Sequence, residues 1–263
     1  MKANWKLALM CFATLAMVMG ACNKKDEPKP SGGDDEPEGE FVSKVSVTDN
    51  SIAEWANLPA EFVAEAKCPA NAALLGLKSV KVYADQLYIN ILVEPNMDDI
   101  VDKEWVPFHV YINTDNSDKT GGYGDQFLDP NTDILLETAV FGEGEPISYN
   151  PAVFRWWGEV GGSGWEWTDP EVEATSENGW GALVAEGALP VGASQFVDGK
   201  FEIQIMREVI PCENFAPWAE EFGIGFDIQQ NWSSVGILPL VSPTDADPNG
   251  HAKKLQVKID MSK

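Results

Sequence analysis

The chain has 263 residues, with 18 Lys and Arg against 42 Asp and Glu, a net charge of −24. That charge excludes nucleic acid as a partner, because its phosphates would be repelled, and it disfavours direct contact with an anionic membrane surface. It suits solubility, cation binding and a neutral ligand such as a glycan.

The chain opens with Lys2 and Lys6, an apolar run from Leu7 to Met19, and Gly20-Ala21-Cys22. A basic start, a short apolar centre and small residues at the end describe an export signal over 1–21. The run, about 13 residues, is short for a bilayer span. The boundary resembles a bacterial lipobox, which implies lipidation at Cys22, although Met19 stands where Leu is usual. The following Asn23-Lys24-Lys25-Asp26-Glu27 resembles the surface-export signal of lipoproteins of Bacteroidetes type. The implied location is the outer membrane, lipid-anchored and facing outward. Residues 22–40 are dominated by Pro, Gly and acids and hold almost no apolar side chains, so a flexible tether is expected there. Residues 41–263 then make one domain.

Period-2 alternation dominates that domain. Leu87, Ile89, Ile91 and Val93 share one face of a strand, and Phe108, Val110 and Ile112 point inward from the next, with His109 and Tyr111 outward. Phe201, Ile203 and Ile205, then Phe222, Ile224, Phe226 and Ile228, then Leu255, Val257 and Ile259 repeat the pattern. This is the pattern of half-buried strands. Asp85-Gln86, Asp129-Pro130-Asn131, Asp198-Gly199 and Pro248-Asn249-Gly250 mark turns. Ser51 and Glu54 have capping-box spacing before Trp55, and residues 59–68 predict two helical turns. The expected class is all-β: an antiparallel β-sandwich, jelly-roll-like, with minor short helices.

Several pieces carry a resemblance in order. They are Thr48–Pro59, with Trp55 after an acidic residue; the hairpin Val80–Glu94; Pro107–Gly122, a strand running into a polar loop; Thr132–Glu137; Gly199–Ile210; and Gly223–Pro239. Together they resemble the family 9 carbohydrate-binding modules and the related DOMON-like sandwiches, and the sugar-utilisation lipoproteins of gut Bacteroidetes. The resemblance implies binding rather than catalysis, a calcium-associated loop, a core role for Trp55, and partner proteins from a surface glycan-uptake system. A structural lipoprotein docking on a protein partner is the alternative, and a glycoside hydrolase a lesser one.

The polar loop Tyr111–Asp125 invites a calcium test. On an EF-hand template Asn113, Asp115 and Ser117 fill positions 1, 3 and 5, but Asp118 stands at the required Gly and Gly124 at the required Glu. A looser site remains, with Asn113, Asp115 and Ser117 joined by Asp125 and Asp133; so does a solvated turn, which needs the same residue types. Ten tryptophans offer stacking surface. Trp156, Trp157, Trp165 and Trp167 cluster around a glycine-rich turn, with Arg155 and Glu166 as polar companions. Adjacent Trp156 and Trp157 point to opposite faces, so one must be exposed or covered by a loop. Trp105 and Trp232 are secondary candidates. Cys68 and Cys212 could pair or remain separate thiols. No HExxH, phosphate-binding loop or nucleophile–His pattern occurs, and His109 is expected at the surface of its strand.

Overall fold

Among the described residues, fourteen strands pair into one continuous, folded sheet in a computed structural model. It describes residues 41–262 except 125, 130, 163–165, 168–177, 185–191, 211 and 213–214. The strands are β1 (Val63–Lys67), β2 (Leu77–Asp85), β3 (Tyr88–Pro95), β4 (Trp105–Asn113), β5 (Ile134–Gly142), β6 (Glu145–Pro146), β7 (Ala152–Trp156), β8 (Glu166–Trp167), β9 (Asn178–Val184), β10 (Gly192–Val197), β11 (Lys200–Met206), β12 (Glu221–Gln230), β13 (Ser233–Leu238) and β14 (Leu255–Asp260). Their order is β10-β11-β3-β2-β14-β12-β4-β5-β7-β9-β8, with β1 on β2, β13 on β12 and β6 on β5.

The sheet turns back on itself at β14. That strand pairs antiparallel with β12 through Phe222↔Val257 and parallel with β2 through Ile259↔Ala84. The two halves then face each other. Phe108 of β4 meets Phe201 of β11 edge-on at 5.5 Å, and Phe141 of β5 meets Phe196 of β10 at 5.4 Å. The core between them takes the inward residues of every alternating strand: Val82, Ile89, Ile91, Val110, Ile203, Phe226 and their neighbours. Burying that apolar surface between two layers is the main driving force for the fold. The chain is thus an all-β sandwich, as the alternation leads one to expect. Two pairings, β14–β2 and β8–β9, are parallel, so the sheet is mixed rather than purely antiparallel.

One local expectation fails. Residues 60–62 form only a single 3-10 turn, and Val63–Lys67 extend as β1 along β2. Edge pairing with β2 overrides a weak helical preference. The Ser51–Glu54 spacing does precede one turn, the 3-10 helix Ala53–Ala56, but without a reciprocal capping box. Ser51 Oγ accepts from the Ala53 amide, but Glu54 turns away to accept from Ser46.

The outer face of the second layer is not wet. Tyr111, Tyr123, Phe127, Leu135, Trp156 and Trp180 form a second buried cluster there. β4 is buried on both faces from Val106 to Asn113. His109 is therefore buried, not at the surface, with Nε2 3.2 Å from Glu137 Oε2.

A candidate ligand-binding cleft

Three two-residue hairpins turn the chain between paired neighbours: Glu143-Gly144, Asp198-Gly199 and Asn231-Trp232. All six residues have positive φ: 52° and 81°, 50° and 76°, 47° and 62°. This handedness matches strand twist, and it is why such turns select Asn, Asp and Gly. The first two hairpins place Gly second. The third places Trp there, although a left-handed backbone costs an L-residue about 1–2 kcal/mol.

The indole so placed is 66% exposed, and 48% of Trp105, at the start of the neighbouring β4, is also exposed. The two rings line one cleft of about 250 Å³ with Asp102, Glu104, Pro107 and Asn231. The cleft is braced from both sides. Gln230 Nε2 donates to the Asp102 carbonyl at 2.9 Å, and the Glu143 and Gly144 amides donate to the Glu104 and Lys103 carbonyls at 2.9 and 3.0 Å. Exposed indoles can stack on an apolar ring face, and carboxylates and an amide oxygen can accept hydrogen bonds from hydroxyls; the lining supplies both kinds of group.

The residues singled out in the tryptophan-rich stretch divide differently. Trp156 is buried: its ring lies against Gly122 and Gly179, where a Cβ would collide with it. It meets Trp180 edge-on at 5.3 Å, and its Nε1 donates to the Glu159 carbonyl at 2.9 Å. Trp156 is 5% exposed, so it does not present a stacking surface. Trp157 is half-buried under Arg155, whose guanidinium sits 3.2 Å from the Trp157 ring centre and 4.0 Å from that of Phe215. Burial lowers the Arg155 pKa. Trp165 lies outside the described residues, and of Glu166 and Trp167 only the backbone of β8 is described.

The polar loop closes on itself. Asn113 Nδ2 donates to the Ser117 carbonyl at 3.0 Å, and Asn113 Oδ1 accepts the Ser117 amide at 3.2 Å. Asp115 Oδ1 accepts from the Ser117 amide and the Thr120 hydroxyl, both at 3.0 Å. Asp133 is buried and accepts the Thr114 amide at 2.8 Å. Burial first, and the Asp115 charge second, push its pKa up to about 6. Asp125 lies outside the described residues. Among the described residues no group of three or more His, Cys, Asp or Glu side chains is arranged to hold a metal ion.

Cys68 and Cys212 are not joined by a disulfide. Cys68 is held in the turn to Leu74 and Cys212 in the turn to Phe215 and Ala216, at the ends of different elements. Burial, then Asp99, raises the Cys68 pKa. Cys22 lies outside the described residues, and no helix among the described residues is long and apolar enough to cross a membrane.

No protein-family model matches the chain, and no curated protein matches it.

Proposed function

We propose that this protein binds carbohydrate without transforming it, as a lipoprotein of the outer cell surface tethered through Cys22. The observation that carries this reading is Trp232. A bulky indole occupies the hairpin position that two sibling turns give to glycine, and it stands exposed beside Trp105 over a shared cleft. Strained backbone that survives in a fold is a pointer to function. Paired indole faces with carboxylate and amide companions are the means by which sugars are gripped. The ordered resemblance to family 9 carbohydrate-binding modules supports the same reading. A concave, indole-lined cleft with acidic rims favours a sugar over the flat apolar patch that a docking protein would use.

Affinity electrophoresis of the full chain through gels containing soluble polysaccharides tests this. Retardation by at least one polysaccharide, lost in Trp232→Ala, is the expected result; unaltered migration in every gel would sink the reading.

A structural calcium ion is a separate part of the proposal. The Asp115 charge bears on the buried Asp133 carboxyl, and the Thr120 hydroxyl donates to Asp115 Oδ1 at 3.0 Å; a divalent cation there would relieve the repulsion. Calcium should then raise the melting temperature and Asp115→Ala should abolish the effect. Melting that ignores both calcium and chelator would remove the ion from the account.

A further inference from the structure

The charged residues of the cleft are all of one sign. Asp102 and Glu104 line it, and the other lining residues, Trp105, Pro107, Asn231 and Trp232, are uncharged. Lys103, between the two acids in sequence, is not among the lining residues. Both acids belong to a fixed segment. Asp102 Oδ1 accepts the Glu104 amide at 3.0 Å, and the hairpins on either side hold the 102–104 carbonyls. The rest of the molecule carries the same sign, with a net charge of −24. At about 250 Å³ the cleft is below the range of roughly 300–1,000 Å³ that holds drug-sized ligands. A unit stacked there therefore brings its substituents close to both carboxylates.

Hydroxyl and amino groups can donate to those carboxylates in strong, charge-assisted hydrogen bonds. A uronic carboxylate or a sulfate cannot, and it meets two like charges and a repelling field instead. Resting on the carbohydrate reading above, we infer that Asp102 and Glu104 determine the specificity of this cleft. They admit short neutral or amine-bearing sugar units, one or two at a time, and reject units that carry an anionic group.

Calorimetric titration of the full chain at low salt, with length-matched neutral, amino and uronic oligosaccharides of the gluco, galacto and manno series, provides the test. In at least one series the neutral and amino members should bind, and the uronic member about five- to tenfold more weakly, as two exposed like-charge contacts imply. The double variant Asp102→Asn/Glu104→Gln should weaken the neutral and amino members, which lose charge-assisted hydrogen bonds, and relieve the uronic member, so that most of the gap closes; added salt should narrow it in the wild type. Equal binding of uronic and neutral members by the wild type overturns the inference while leaving the carbohydrate reading standing. So does a gap that the double variant preserves. Absence of binding in every series overturns both.

Discussion

Gln229 Nε2 donates to Asp227 Oδ2 at 2.6 Å inside a buried polar row on the outer face of the second layer. Ser234 Oγ donates to the same oxygen at 2.9 Å, and His109 stands opposite Asp227 in register. The other oxygen, Oδ1, is buried without a hydrogen-bond partner. Burial raises the Asp227 pKa from 3.8 to about 6, with His109, Gln229 and Ser234 pulling the other way. The folded carboxyl thus holds its proton more tightly than the unfolded one. Its contribution to stability is fully present below 3.8 and is lost as pH rises through about 6. Relative to wild type, Asp227→Asn should gain roughly 1–3 kcal/mol between acidic and neutral pH. Urea unfolding of both proteins across that range measures it, and stability curves that run parallel would contradict the assignment.

Asp260 has the opposite sign. Burial alone would raise its pKa, but donors from Lys44, Ser262 and Tyr83 outweigh this and hold it well below the usual carboxylate range. Lys44 Nζ and Tyr83 Oη both reach Asp260 Oδ2 at 2.7 Å, tying the start of the domain and β2 to the end of β14. Its stabilisation is present above the unfolded pKa and is lost as pH falls through the depressed folded value. Tyr83→Phe should cost about 1 kcal/mol at neutral pH, and the cost should shrink on strong acidification. A cost that grows toward acid would be the wrong sign.

Trp232→Gly separates stability from binding. Glycine adopts φ near +62° without the steric cost that Trp bears. After the entropy glycine loses on folding, a net gain of about 0.5–1 kcal/mol is expected. The variant should melt higher than wild type and fail to bind glycan. A variant that melts lower, or one that still binds, would show that the indole is there to pack.

Trp156 should behave in the reverse manner. Trp156→Ala should cost about 3–5 kcal/mol, the range for emptying a large aromatic site in a core. Gly179→Ala should also destabilise, because its Cβ would collide with the Trp156 ring. Below their melting points both variants should retain glycan affinity. Loss of affinity at full folding would return Trp156 to the ligand site.

The strands were legible in the sequence because sheet sides alternate with period two, and β3, β4, β11, β12 and β14 fall on the alternating runs. The burial of His109 was not legible. Its neighbours include Glu137 of β5 and Gln229 of β12, and no local pattern reports which distant side chains lie on a sheet's second face. The density of tryptophan near 156–167 pointed to a ligand surface, whereas Trp156 fills space opened by Gly122 and Gly179, residues far apart in the chain. Trp105 and Trp232 are single residues in sequence and become a pair only through the β4–β12 pairing. A local signal for Trp232 does exist: Asn-Trp stands between two strand-like runs where Asn-Gly is the expected turn. It becomes readable once Gln230 is known to pair with Ser233.

Carbohydrate binding at the Trp105–Trp232 cleft is tested most directly by tryptophan fluorescence of the full chain, titrated with an oligosaccharide of the polysaccharide that retards it. Wild type should show a saturable change, absent in Trp105→Ala and in Trp232→Ala while both variants unfold cooperatively. A saturable change of equal amplitude and midpoint in all three proteins would contradict it.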